Sequence, residues 1–317
     1  MVRLEVELAL AYEIRDRRGA DFVFNIHAAQ TPQQTVENER LDLSQPITPE
    51  VATDPATATR LMRLHAAAGP LRVTYAATVN ISHHVAQPDT LAEVPIGSLP
   101  LDVVPYLYPS RYCQSDRLLK LAFDEFGTLW PGYSRVLAIQ HWVQKHVTFA
   151  SNTSDSTTSA VDTLIERVGV CRDFTHLMIA LCRAVSIPAR VATGTDYGAS
   201  DALGPPDFHA YVEAYLDHRW YLFDASGTGI PMGFMRFGTG RDAADVAFAT
   251  IFGDVLAMAP IISVRALEGA GLEAPRHRSE ALSTAAGRSP AEPVSGPDDA
   301  GAKAAASSGH VVKQLPD

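Results

Sequence analysis

An α+β fold is predicted, with a β-rich, sandwich-like N-terminal domain over residues 1–105, a mixed domain over 110–265 and a disordered tail over 269–317. Three observations predict it. Apolar and polar residues alternate with a period of two through much of the first hundred positions. Helical spacing then takes over, beginning near residue 115. Two further alternating segments, joined by a two-residue turn, follow the last helix as a hairpin.

The chain has 317 residues, long enough for two domains with cores of their own. Hydrophobic residues make up 46% and charged residues 20%, so most of the chain is expected to be globular. A formal net charge of −10 and a pI near 5.5 argue against a nucleic-acid or membrane partner. The opening run Met1-Val2-Arg3-Leu4-Glu5-Val6-Glu7-Leu8 carries acids among its apolar residues and reads as a strand rather than a signal peptide. No stretch is long and apolar enough to span a bilayer. A cytoplasmic location is expected, and its reducing conditions would keep thiols free. The three cysteines, Cys113, Cys171 and Cys182, are too few and too unevenly spaced for a disulfide framework. No CxxC occurs, and neither a metal nor an organic cofactor is implied.

The elements follow in order. Leu4, Val6 and Leu8 alternate with polar neighbours, as do 71–75 and 78–81, and Gly69-Pro70 punctuates the turn before them. The proline-rich stretch 95–109 reads as a linker. Ser115 is expected to cap a helix over 116–126, and Ser134 one over 135–147. The polar run 151–159 is a surface loop, and 160–168 a short helix stopped by Gly169. In the helix that begins at Cys171, residues Phe174, Leu177, Met178, Leu181 and Val185 fall at helical spacing, so one face is buried. Pro188 ends that helix, 190–192 is a short strand and 193–206 a flexible loop. Phe208 to Leu216 alternates, Asp217-His218 turns, and Arg219 to Asp224 returns. No Phe, Trp or Tyr follows Phe252, so the tail cannot bury enough apolar surface to offset chain entropy.

Cys171, His209 and Asp224 are the candidate catalytic residues. A thiolate is the nucleophilic form of cysteine, and a helix N-terminus favours an anion. Cys171 stands where a glycine turn enters a helix. If Leu216 pairs with Arg219, Tyr211 pairs with Asp224 and His209 lies on the same face. His209 and Asp224 are then diagonal neighbours about 7–8 Å apart at the backbone, within reach of a carboxylate–imidazole hydrogen bond. The acid would orient the ring and stabilise its charged form.

Other polar residues are assigned to structure. Cys182 and Cys113 read as buried small hydrophobes. His176, five residues after Cys171, points to another side of the helix and reads as a packed histidine. Asp173 is expected to cap its own helix or neutralise Arg172, and Arg190 to pair with an acid. His83-His84 has no third ligand nearby in sequence and reads as surface strand.

At these residues the chain resembles the transglutaminase-like superfamily and, within it, the bacterial transglutaminase-like cysteine peptidases. The matching text runs through Gly169-Val170-Cys171-Arg172-Asp173-Phe174-Thr175-His176, Ile187-Pro188-Ala189-Arg190-Val191, Phe208-His209-Ala210-Tyr211-Val212-Glu213 and Trp220-Tyr221-Leu222-Phe223-Asp224. It covers roughly 115–255, and the β-rich start resembles the domain that often precedes this core in bacteria. The resemblance implies a papain-like core in which a helix bearing Cys171 packs on an antiparallel sheet. It further implies Cys171 as nucleophile, His209 as base and acid, and Asp224 as the orienting residue. Tyr211 stands where the family often has Trp, and Ala225-Ser226 where it has Pro-Thr. Gln140 and Trp142 are candidates for an oxyanion donor. The expected activity is hydrolysis of a peptide or isopeptide amide in a protein or peptide substrate, through a thioester. The alternatives are transglutaminase-type transfer to an amine, and a non-catalytic protein-binding module on the same fold.

Overall fold

The computed structural model describes residues 1–287. Its first half is a pair of antiparallel sheets. Strands β1 (Val2–Ile14), β2 (Ala20–Phe24), β3 (Gln34–Leu43), β4 (Glu50–Thr53), β5 (Arg60–Ala66), β6 (Gly69–Ile81) and β7 (His84–Ala86) follow one another without a helix. β1 pairs with β6 along its whole length, from Val2↔Ile81 to Ile14↔Gly69. The period-two pattern has its expected result. Val2, Leu4, Val6, Leu8 and Leu10 of β1 pack with Phe22 and Phe24 of β2 and with Leu71, Val73 and Tyr75 of β6 in one apolar core.

The second half supplies α1 (Leu119–Phe126), α2 (Tyr133–His146), β8 (Thr148–Phe149), α3 (Ala160–Glu166), β9 (Val168–Gly169), α4 (Cys171–Ala184), β10 (Ala189–Thr195), β11 (Phe208–Leu216), β12 (Arg219–Phe223), β13 (Gly238–Gly240) and α5 (Ala243–Val246). β12, β11, β10 and β13 form an antiparallel sheet in that order. α4 packs across it, and the Thr175 hydroxyl donates to the Ala210 carbonyl at 2.9 Å. Val191, Ala210, Val212 and Ala214 turn toward the helices. Ala192, Tyr211 and Leu222 join the core of the N-terminal sandwich. The sheet thus lies between helix and sandwich, which is why nearly all of β11 is buried.

Several expectations change here. The chain does not stay with the second half after α5. β14 (Ala249–Phe252) pairs with β2, and β15 (Val255–Ala257) and β16 (Ile261–Ala266) both pair with β1, so residues 249–266 complete the N-terminal sheets. The start of the tail is also ordered. β17 (Ala281–Ser283) pairs with β7, while residues 288–317 of the expected disordered tail lie outside the described residues. The 95–109 stretch is packed against the second half, because Leu99 and Val103, with Val94 just before it, bury against Tyr215 and Trp220.

Neither serine cap is used. Ser115 is buried inside a 3₁₀ turn that precedes α1. α2 starts at Tyr133, and Glu93 takes over the cap by accepting the Gly132 N–H at 2.9 Å while it holds the Arg135 guanidinium. α3 ends at Arg167, in a left-handed conformation, two residues before Gly169. α4 is buried on every side from Asp173 to Ala184, not on one face. Its Arg183 is satisfied by the carbonyls of Tyr108, Ala189 and Arg241. Among the described residues no helix is long and apolar enough to cross a membrane.

β10 runs on to Thr195 through Gly194, so the loop begins at Asp196. Gly194 lies opposite His209, and a Cβ there would run into the Met235 carbonyl oxygen. Backbone atoms cannot yield as a side-chain tip can, so Gly194→Ala is expected to cost about 3 kcal/mol, the upper part of the usual overpacking range. Urea unfolding measures this, and a loss under about 0.5 kcal/mol, the level of an ordinary surface change, would contradict the packing described.

Candidate active site

Cys171 is the first residue of α4, His209 the second of β11, and Asp224 follows β12 directly. The hairpin has the expected register, from Leu216↔Arg219 to Val212↔Phe223. Asp217 and His218 both have positive φ, 44° and 59°, as a two-residue turn that matches the strand twist requires. With no bulge, His209 and Asp224 fall on one face, and the His209 Nε2 lies 3.1 Å from the Asp224 Oδ1. Cys171 meets the start of β11, where its Sγ is 3.9 Å from the Phe208 carbonyl oxygen. Cys171 also acts on the His209 imidazole and favours its charged form. The fold therefore brings all three together, with His209 and Asp224 buried and Cys171 partly open.

The electrostatics follow from this placement. Burial penalises a charged imidazole, but the charge and hydrogen bond of Asp224, aided by the hydrogen bond and charge of Cys171, outweigh it. His209 is raised from 6.5 to about 10. Burial likewise opposes the Asp224 carboxylate. The His209 charge and hydrogen bond, the Gly229 N–H and the Ser226 hydroxyl outweigh that penalty and hold it below its ordinary value. The two donors stand 2.9 Å from Oδ2 and Oδ1 respectively. Gln144 of α2 donates to the Asp224 backbone carbonyl at 3.1 Å and fixes the acid from behind.

The head of α4 is held by Asp173, which accepts the Val170 N–H at 2.8 Å and the Ser154 hydroxyl at 2.9 Å. Asp173 is the cap its position suggested, and it also lies beside Arg172. Gly169 makes room for it, since a Cβ at 169 would stand 2.7 Å from the Asp173 Cβ. β8 and β9 lay the chain alongside, and the Ser151 hydroxyl reaches the Leu203 carbonyl at 3.4 Å, so the 151–159 and 196–207 loops touch.

The residues assigned to structure behave as such. His176 stacks on Tyr112 at 5.0 Å and accepts the Ala243 N–H, and burial pushes it down to about 3. Burial pushes the Cys113 thiol up to about 12 and the Cys182 thiol higher still. Arg190 pairs with buried Glu213 at 2.6 Å and lies over the Trp220 ring. Trp142 packs between His146 and Phe126, whereas Gln140 lines a cavity of about 180 Å³ beside Asp224, His277 and Arg278. His83 is half-buried, and burial lowers it to about 4. Among the described residues no group of three or more His, Cys, Asp or Glu side chains is placed to hold a metal.

Residues 226, 229 and 234 were not legible in advance. Ser226 and Gly229 sit in a Gly- and Ser-rich stretch, and nothing local marks Phe234 as a neighbour of His209.

Known proteins match both halves. The model of the transglutaminase-like superfamily core matches residues 124–225, a span that contains Cys171, His209 and Asp224. The model of the bacterial transglutaminase N-terminal domain matches residues 2–102. A crystal structure of a candidate cysteine protease from Cytophaga hutchinsonii is 39% identical, with a TM-score of 0.82, and the alignment covers 89% of this chain and 97% of that one. An uncharacterised protein of Mycobacterium leprae is 28% identical over 116 residues, which are 35% of this chain and 42% of that protein, so the match spans less than half of that relative.

Proposed function

The chain belongs to the transglutaminase-like superfamily, and from that premise we propose that it hydrolyses amide bonds of a protein or peptide through Cys171, His209 and Asp224. The observation that carries this reading is the buried His209–Asp224 pair turned toward a cysteine at a helix head. A histidine held charged beside a thiol favours the thiolate.

The steps follow from the charges. The Cys171 thiolate adds to the carbonyl carbon, and the developing oxyanion is met by N–H groups at the head of α4. The His209 imidazolium gives its proton to the amide nitrogen, the C–N bond breaks, and the amine leaves behind a thioester. Neutral His209 then takes a proton from water, whose oxygen attacks the thioester carbonyl. The acid is released, and the returning thiolate again faces a charged imidazole. Asp224 keeps Nε2 occupied, so the proton moves at Nδ1. The thiol must stay reduced between turnovers, which a cytoplasmic location would supply.

Iodoacetamide labelling followed against pH, with mass spectrometry locating the modified residue, tests the assembly. Cys171 is expected to label far faster than buried Cys113 or Cys182, with the rate persisting below pH 7, and His209→Ala is expected to remove the acid limb. Labelling of Cys171 that is slow in wild type and unchanged by His209→Ala would sink the reading. Mass analysis of products formed in the presence of a primary amine separates hydrolysis from transfer, because only transfer leaves the amine joined to the acyl group.

A further inference from the structure

We propose that Phe234 is a positioning residue for His209, and that the N-terminal sandwich holds it there through Gln34. This rests on the triad reading above. The N-terminal domain is then part of the catalytic device rather than an appended recruiting module.

The hydrogen bond to Asp224 fixes one ring nitrogen of His209 but leaves the ring free to rock about that bond. The Phe234 ring closes that freedom. Its centroid lies 4.8 Å from the imidazole centroid, with the planes inclined at 51°. It also packs on Tyr211, at 5.0 Å, so the two aromatic rings form a fixed wall on that side. An aromatic face also attracts an imidazolium more than a neutral imidazole. The titratable groups that face His209 are Asp224 beyond β12, Cys171 at the head of α4 and Asp196 at the end of β10. None of them constrains the tilt of the ring as a packed face does.

Phe234 is held from the other half of the molecule. Gln34, the first residue of β3, is fully buried. Its Oε1 accepts the Arg236 N–H at 2.8 Å, and its Nε2 donates to the Arg236 carbonyl at 2.8 Å and the Ala29 carbonyl at 2.7 Å. The Ala29 N–H donates to the same Arg236 carbonyl at 2.9 Å. A single side chain thus pairs with the backbone two residues beyond Phe234 as a strand neighbour would. The same thread supplies the Gly229 N–H to Asp224, and a Cβ on Gly229 would meet Phe234 at 2.6 Å. Acid, N–H donor, ring brace and the Arg236 backbone that Gln34 clamps follow one another in one segment.

The test uses the full chain and three variants, Phe234→Leu, Phe234→Tyr and Gln34→Leu, with the pH profile of Cys171 alkylation and urea unfolding read together. Phe234→Leu is expected to slow labelling on the acid limb by about tenfold to a hundredfold, the loss that follows a misplacement near 1 Å. Gln34→Leu is expected to act in the same direction, and Phe234→Tyr, which keeps the ring, to restore the wild-type profile. A general loss of stability lowers the unfolding midpoint without moving the acid limb of folded protein. If Phe234→Leu does not fold, Phe234→Met, close in volume and without a ring, serves in its place. Folded leucine or methionine variants with the wild-type profile would overturn the proposal. If His209→Ala itself fails to change labelling, the triad reading falls first, and the two failures are thereby told apart.

Discussion

Replacing His209 with Ala is expected to cut turnover of a peptide 4-nitroanilide roughly ten-thousandfold to a millionfold, the range seen when one member of a concerted triad is removed. Two losses combine. The thiol loses the cation that favours its ionised form, and the departing amine loses its proton donor. The second loss is the harder to replace, because an amine expelled without a proton is a poor leaving group. An activated ester, whose leaving group needs no proton, is therefore expected to be hurt much less than the anilide. The change leaves Asp224 with its Ser226 and Gly229 donors, so the site is not emptied of partners. Release of 4-nitroaniline under single-turnover conditions, set against release of 4-nitrophenol from the matching ester, measures the difference. Equal losses on both substrates would point to nucleophile activation alone, and a loss below tenfold on the anilide would remove His209 from the chemistry.

The register that joins His209 to Asp224 was legible because it depends on local facts. A two-residue turn and an unbroken period of two leave one pairing, and Asp217 and His218 accept positive φ to close it. The helix that carries Cys171 was legible for the same reason. What the sequence hid was long-range. Gln34 and Arg236 are 202 positions apart, and neither local alternation nor propensity marks them as partners. Local patterning leaves 249–265 with the second domain, whereas β14, β15 and β16 complete the edges of β2 and β1. Ser115 and Ser134 had the right chemistry for caps but lost to tertiary context, since Glu93 reaches the head of α2 from another segment. The wall that braces the imidazole lies beyond sequence periodicity for the same reason, because Phe234 belongs to a turn whose shape is set by the domain it touches.

Replacing Asp224 with Ala is expected to destabilise the protein by about 3–5 kcal/mol near pH 6, the usual cost of breaking a buried ion pair, and to lower turnover about ten-thousandfold. The pH dependence separates charge from packing. His209 is raised in the folded protein, from 6.5 to about 10, so its share of the stability is complete below about 6.5 and lost as pH rises through 10. Asp224 is lowered from 3.8, so its share is complete above that value and lost as pH falls through the folded one. The pair therefore contributes most between about pH 4 and 6.5, and the gap between wild type and Asp224→Ala is expected to narrow steadily toward pH 10. Without the carboxylate, burial governs His209 and the imidazole becomes neutral, leaving the Gly229 N–H and the Ser226 hydroxyl to find other acceptors. Asp224→Asn keeps an acceptor for those donors and should recover part of the stability but little of the turnover. Urea unfolding of the three proteins at pH 6 and pH 9.5 reads this directly. A gap of the same size at both values would mean that Asp224 acts through packing, and the charged His209 on which the thiolate depends would lose its support.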